Sequence, residues 1–353
     1  MSLKPLQIGD LTAKIPIIQG GMGVGVSRSG LAGAVAMAGG IGIISTAQIG
    51  YDEPEFETDQ LKANLKAIKK HIIRAKEIAG KGIVGANIMV ATRQYGEYVR
   101  AAAEAGADVI ISGAGLPVTL PELAKGSASK IAPIVSSEKA VSVILKMWDR
   151  KYGTTADFIV IEGPRAGGHL GFRREELDQI DDAAYDGEIR RIIAHVKKYE
   201  EKYERKIPVV TAGGIFDYKD ILHAMELGAD GVQIASRFVV TRECDACQSY
   251  KDAYLNACRE DIRIIKSPVG MPGRAINNPF LERADKGPVP IGRCFHCLEH
   301  CNPADIPYCI TKALVNAVRG DLDNGLIFCG DNVDRIHEMT TVPALMDELC
   351  GRG

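Results

Sequence analysis

The chain has 353 residues, 46% of them hydrophobic and 25% charged, with a formal net charge of −2 at pH 7. That length admits one large domain with an appendage, and the composition is that of a soluble globular protein. The charge balance offers nothing to nucleic acid or an anionic membrane, no charged segment leads into an apolar run at the N-terminus, and no apolar stretch reaches the roughly 18 residues of a membrane span, so a cytoplasmic protein with no nucleic-acid and no membrane partner is expected.

Taken in order, eight short apolar runs read as strands: 16–19, 41–46, 83–89, 108–113, 132–136, 157–162, 208–212 and 231–235. Helical patterns lie between them, at 60–80, 138–150, 188–203 and 217–227. In the clearest, Leu61, Leu65, Ile68 and Ile72 share one face and lysines the other. Strand and helix alternate, which predicts a parallel sheet. A weak repeat supports this. Ala36-Met37-Ala38-Gly39-Gly40, Ala102 to Asp108 and Ala224 to Asp230 each end a helix at glycine and pass at once into a strand. Eight such units predict an α/β fold, a (β/α)8 TIM barrel over residues 1–260, with residues 261–353 as a C-terminal lid or extension. A doubly wound dinucleotide fold is excluded twice over: Gly21-x-Gly23 lacks the third glycine, and the second strand ends in Ser45-Thr46 with no carboxylate.

In such a barrel the chemistry sits at the C-terminal ends of the strands. Here those ends are Gln19-Gly20-Gly21-Met22-Gly23, Ser45-Thr46-Ala47, Asn87-Ile88-Met89, Ser112-Gly113-Ala114-Gly115, Ser136-Ser137, Glu162 to His169, Ala212-Gly213-Gly214 and Gln233-Ile234-Ala235-Ser236. Nearly all are small, polar or glycine. There is no carboxylate cluster for glycoside hydrolysis and no His/Asp metal set. The rim suits a cofactor held through backbone groups. Among seven histidines only His169 lies in a glycine-rich loop after a strand, with Gly167 and Gly168 before it, which makes it the candidate acid/base. His71, His195, His223 and His337 fall in helical patterns, and His296 and His300 lie among cysteines.

The turns after strands seven and eight, Ala212-Gly213-Gly214 and Ala235-Ser236-Arg237-Phe238, occupy the usual phosphate position of the barrel. The phosphate-bearing candidates are FMN, pyridoxal phosphate and a sugar phosphate as substrate. Pyridoxal phosphate requires a Schiff-base lysine, none stands on a strand end, and flavin remains.

All nine cysteines follow residue 243. Cys294-x2-Cys297-x3-Cys301-x7-Cys309 places four thiols within sixteen residues, a set that could hold zinc or a 4Fe–4S cluster. Cys244-x2-Cys247 reads as packing or loop thiols open to redox change, and Cys329 and Cys350 as small apolar fillers. In the same third, residues 252–259 are expected to form the eighth helix, 267–278 an irregular loop over the active site, and 310–319 and 333–349 closing helices.

Ile18 to Gly25, Gly85-Ala86-Asn87, Ala166-Gly167-Gly168-His169, Ala212 to Ile215 and Gly231 to Phe238 resemble the nitronate monooxygenase (2-nitropropane dioxygenase) family, which includes the flavin enoyl-acyl-carrier-protein reductase FabK. Gly113-Ala114-Gly115-Leu116-Pro117, Glu162-Gly163-Pro164, Ile265 to Gly270, Arg274-Ala275-Ile276-Asn277 and the cysteine cluster are similar to its FabX-type branch, the acyl-carrier-protein dehydrogenase/isomerases of unsaturated fatty acid synthesis. The resemblance implies FMN contacts from Met22, Gly23, Asn87, Glu162, Gly167, Gly214, Gln233, Ile234, Ala235 and Ser236, with Gly21, Ser136, Gly168 and Gly213 on the same rim, and His169 as the catalytic residue. Many members carry Gln at the position of Glu162, and Gly-Thr at that of Ala235-Ser236. It implies a 4Fe–4S cluster on Cys294, Cys297, Cys301 and Cys309, with zinc as the alternative. The function implied is FMN-dependent oxidation or reduction of acyl thioesters. Nitronate oxidation with O2 is the alternative, and a flavin/iron–sulfur electron-transfer or redox-sensing protein is a third reading. The partners implied are a small-molecule or acyl-thioester substrate, acyl carrier protein and a second copy in a homodimer. Arg165, Arg173, Arg174 and Arg274 would form a basic rim for the carrier, or only a solvated charged face.

Overall fold

Each of the eight apolar runs forms a strand in the computed structural model, which describes residues 3–352. They are β1 (Ile17–Gln19), β2 (Ile41–Ser45), β3 (Ile83–Met89), β4 (Val109–Gly113), β5 (Lys130–Val135), β6 (Ile159–Glu162), β7 (Val209–Ala212) and β8 (Gly231–Ile234). All pair in parallel, in chain order, and β8 closes onto β1 through Gln233 opposite Ile18. β-branched residues dominate the runs because a strand covered on both faces needs apolar side chains in both directions. Ile18, Ile41, Ile43, Val109, Ile111, Val160 and Val210 fill the barrel interior with no exposure. A hairpin of Leu6–Ile8 with Leu11–Ala13 adds Leu6, Ile8 and Ala13 to that same cluster, stopping one end of the barrel.

The outer layer follows the helical periodicity. α1 (Ser29–Met37), α2 (Gln60–Ala79), α3 (Tyr95–Glu104), α4 (Glu138–Tyr152), α5 (Asp182–Tyr203) and α6 (Tyr218–Glu226) pack on the strands. Capping side chains set several starts: Asp59 accepts from the Lys62 N–H at 3.0 Å and Ser137 from that of Ala140 at 3.2 Å. α5 starts six residues before the expected position, because Asp181 caps it by accepting from the Ala184 N–H at 2.7 Å. Among the described residues no helix is long and apolar enough to cross a membrane.

The C-terminal third departs further from expectation. The eighth helix, α7 (Gln248–Leu255), begins earlier than 252. The segment read as an irregular loop contains a strand, Pro272–Ile276, paired antiparallel with Ile262–Lys266. α8 (Pro279–Lys286) and α9 (Ile310–Arg319) follow. The expected helix over 333–349 is only α10 (Val342–Leu349), preceded by a turn of 3-10 helix at Val333–Arg335. Pro343 has no N–H to give an interior turn, so the helix can start only there, capped by Thr341 accepting from the Ala344 N–H at 3.3 Å. His337 therefore lies outside any helix. This third is not a separate body. Val315, Ile327, Val333, Leu345 and Leu349 share one buried cluster with Leu31 and Val35 of α1, Val232 of β8 and Phe238.

Candidate active site

The strand ends converge on one cavity at the C-terminal mouth of the barrel. Gly21, Met22, Gly23, Asn87, Glu162, Gly167, Gly168, His169, Gly213, Gly214, Gln233, Ile234, Ala235 and Ser236 all line it. Ser136 does not. Its hydroxyl turns to Gly171 and its carbonyl accepts from the Tyr185 hydroxyl at 3.4 Å, leaving Ile134 as the β5 residue on the cavity wall.

His169 is held by backbone pairing. Gly168 and His169 form a two-residue strand antiparallel to Pro272–Ile276, with His169 opposite Gly273, and the Leu170 N–H donates to the Pro272 carbonyl at 2.8 Å. The ring is fixed on two sides. Its Nε2 shares a hydrogen bond with the Ser267 hydroxyl at 2.8 Å, and it meets Phe328 edge-on at 4.9 Å between centroids. Burial drives its pKa down to about 4. The ring is thus neutral at physiological pH and able to accept a proton.

The cavity floor carries Glu162 and Gln233 at one level on β6 and β8, each opposite or next to Ala212 of β7, with Asn87 on β3. Among the described residues the buried Gln233 Oε1 has no partner. A buried amide oxygen left so costs about 1–3 kcal/mol, which a ligand N–H would recover. Burial pushes Glu162 up to about 7. One wall is built for close approach. Gly213 and Gly214 stand at φ +91° and +90°, the left-handed region that side-chain-bearing residues avoid. At Gly167 a Cβ would lie 2.6 Å from the Cys329 carbonyl carbon. An unpaired amide on the floor and tandem glycines where the barrel places phosphate fit a flavin nucleotide.

The sequence reading missed what the C-terminal third adds. Residues 329–332 complete the glycine corner: the Gly330 N–H donates to the Ser236 hydroxyl at 2.9 Å, and the Asn332 amide to the Gly214 carbonyl at 2.8 Å. Cys329, expected as filler, lines the cavity, as do Tyr250, Tyr254, Leu314 and Phe328. Ser267 had no local signal, since its partner is 98 residues away. The basic rim is largely neutralised. Arg165 pairs with Asp182 at 2.6 Å and Arg174 with Asp178 at 3.0 Å. Arg274 is buried, donating to the Ala166 carbonyl and lying 3.5 Å from Asp331.

Cys294, Cys297, Cys301 and Cys309 line a second cavity of about 260 Å³. Its loop docks on the barrel rim: the Arg93 N–H donates to the Cys297 carbonyl at 3.1 Å, the Glu299 N–H to that of Ala91 at 3.0 Å, and Phe295 stacks on Phe56 at 5.6 Å. Burial first, and each other's charge, raise the thiol pKa values of Cys297 (to about 11), Cys301 and Cys309. Among the described residues no three His, Cys, Asp or Glu side chains converge closely enough to share one metal ion. The four thiols face a common space rather than a common point. Cys244 donates to the Val26 carbonyl at 3.3 Å and Cys247 lies 3.3 Å from the Ser249 hydroxyl, so this pair packs locally.

The model of the nitronate monooxygenase family matches residues 4–351. A probable nitronate monooxygenase of Staphylococcus saprophyticus is 26% identical over 313 residues, 81% of this chain and 82% of that protein. Among solved structures, FabK of Thermotoga maritima superposes with a TM-score of 0.72 at 24% identity, covering 96% of this chain and 92% of that one. A nitroalkane oxidase of Streptomyces ansochromogenes also gives 0.72, at 18% identity, covering 96% and 95%. With the match spanning the barrel, the His169 loop and the C-terminal third alike, this chain belongs to the nitronate monooxygenase family and is an FMN-dependent oxidoreductase.

Proposed function

We propose that the enzyme oxidises or reduces acyl thioesters, as an enoyl reductase or an acyl dehydrogenase/isomerase, with His169 as its acid/base. The observation that carries this reading is the lining of the cavity. Besides the glycines and amides of the strand ends it includes Leu314, Phe328 and the rings of Tyr250 and Tyr254, more apolar wall than a small nitroalkane requires. Bound FMN supplies hydride acceptance or donation at its N5. His169 takes the proton from the carbon beside the thioester carbonyl, or returns it in the reductive direction. Ser267 holds the ring through Nε2, and Phe328 covers its other side. Acyl carrier protein is the proposed carrier of the substrate.

The four thiols are proposed to hold a 4Fe–4S cluster. A tetrahedral zinc site with Zn–S near 2.3 Å needs sulfurs within about 3.8 Å of each other. Thiols ringing a cavity of about 260 Å³ suit a polynuclear group better. Oxidation of nitroalkanes or nitronates is the second reading, favoured by the match to the family and, for a nitroalkane, by a neutral histidine able to deprotonate its acidic carbon. The deciding experiment begins with protein purified without oxygen. Flavin absorbance with about four irons and four sulfides per chain is expected. Saturated acyl thioesters, or the enoyl forms with reduced enzyme, should then change the flavin spectrum. A nitronate that consumes O2 at a much higher kcat/KM, with thioesters silent, would overturn the acyl reading.

A further inference from the structure

The floor of the cavity holds two amides and one carboxyl: Asn87, Gln233 and Glu162. Among the described residues no side-chain oxygen of Glu162 has a hydrogen-bond partner; the Tyr185 hydroxyl donates to its backbone carbonyl instead, at 3.0 Å. The amides each carry a donor and an acceptor, whereas an ionised carboxylate only accepts. The pyrimidine edge of an oxidised flavin presents acceptors at N1, O2 and O4 and a single donor at N3. One amide oxygen, such as the orphaned Gln233 Oε1, is enough to take N3–H. N1, O2 and O4 then all call for donors: the NH2 groups of Asn87 and Gln233 can supply some, and a carboxyl standing beside them can supply one only if it carries its proton.

Among the described residues no charge stands near to stabilise an ionised Glu162. Flanking strands β5 and β7 bring Val135, Thr211 and Ala212, and α5 brings the Tyr185 phenol. On the loop that follows, Arg165 is engaged by Asp182 and His169 is neutral. Across the cavity, Arg237 is held by Glu348 at 2.7 Å and Asp331 by Arg259 at 3.2 Å and Arg274. Burial is the only influence on the carboxyl, and it acts upward.

We propose that Glu162 meets the flavin as a neutral acid, donating a hydrogen bond to an acceptor of the pyrimidine edge, so that holding the cofactor is coupled to holding one proton at this residue. The inference rests on the FMN site alone and is independent of the acyl-thioester reading. It sets Glu162 apart from a glutamine at the same position, which donates at every pH.

The test is cofactor affinity against pH. Holoenzyme is diluted at pH 6, 7, 8 and 9, and the return of free-flavin fluorescence gives the dissociation constant. Between pH 7 and 9 the wild-type constant should rise by up to about tenfold per unit, as the empty site ionises and the filled one resists. The FMN phosphate, with a second pKa near 6, is already doubly ionised there and adds no slope. Glu162→Gln should bind with a flat profile, close to the wild-type value at pH 6. Glu162→Leu should also be flat but weaker, which covers the case in which the glutamine variant folds poorly. A flat wild-type profile overturns the proposal, as does a slope that persists in both variants. No flavin released from, or bound by, any of the three proteins overturns the FMN site itself, a distinct result.

Discussion

Among the titratable side chains that line the cavity, burial moves Glu162 and His169 in opposite directions. Glu162 rises to about 7 and His169 falls to about 4, so at pH 7 the ring is neutral and the carboxyl of the empty site is about half protonated. In the proposed chemistry the neutral His169 ring is the base. That form is present above its pKa and is lost only as pH falls through about 4. Turnover should therefore hold from pH 8 down to about 5 on the histidine's account, in a pH–rate profile taken with flavin retention monitored. An acidic limb near 6.5 would mean that the ring is solvated and not pinned between Ser267 and Phe328. His169→Asn keeps a planar polar group but removes the base. It should lower kcat by about 10²–10⁴-fold while the bound-flavin spectrum is unchanged, since the floor is made by other strands. Loss of flavin together with activity would assign His169 to the cofactor's seat instead. His169 itself was legible in the sequence because one histidine alone followed a strand in a glycine-rich loop. Ser267 was not, because a hydrogen bond spanning 98 residues leaves no trace in local spacing.

At the scale of elements, the barrel strands were readable because each is a short apolar run closed by small residues, and the first six helices because of their 3.6-residue faces or their caps. The hairpin of Ile262–Lys266 with Pro272–Ile276 was hidden. Pro268, Gly270, Pro272 and Gly273 look like loop residues, and the pairing that makes 272–276 a strand also involves the distant Gly168 and His169. That same hairpin fixes the ring proposed as acid/base, so the part least visible in sequence positions the residue most visible in it. α9 does comparable work. Cys309 stands at its N-cap on the thiol cavity, and Leu314, five residues on and so about 7.5 Å along the axis, lines the flavin cavity. Leu314 belongs to the apolar part of the cavity lining, with Phe328, Tyr250 and Tyr254. Leu314→Trp should narrow the cavity there, raising KM at least about tenfold for long acyl thioesters while short ones and nitronates are turned over as before. Equal losses for all chain lengths would place the acyl chain elsewhere.

For the whole molecule, the issue is whether residues 261–353 are a lid on a finished barrel or part of what finishes it. Val315, Ala317, Val318, Ile327, Val333, Leu345, Met346 and Leu349 are buried in one cluster with α1, β8 and α7. Several, among them Ala317, Val333, Leu345 and Leu349, have no exposure at all. Uncovering side chains of this size costs about 1.5–3 kcal/mol each, and whole domains are stable by only about 5–15 kcal/mol. Four or five such residues, at about 6–15 kcal/mol together, are worth as much as that whole margin. The polar struts point the same way. Arg237 would lose Glu348, the Glu243 carboxylate would lose the Val342 N–H at 2.9 Å, and the Arg242 N–H its bond to the Thr340 carbonyl at 3.0 Å. A chain ending at residue 260 should therefore be insoluble, or lack a cooperative thermal transition and bind no flavin. The whole chain should melt in a single transition that FMN raises. A soluble 1–260 fragment with a cooperative transition would show instead that the barrel closes by itself and that the C-terminal third was added over a completed core.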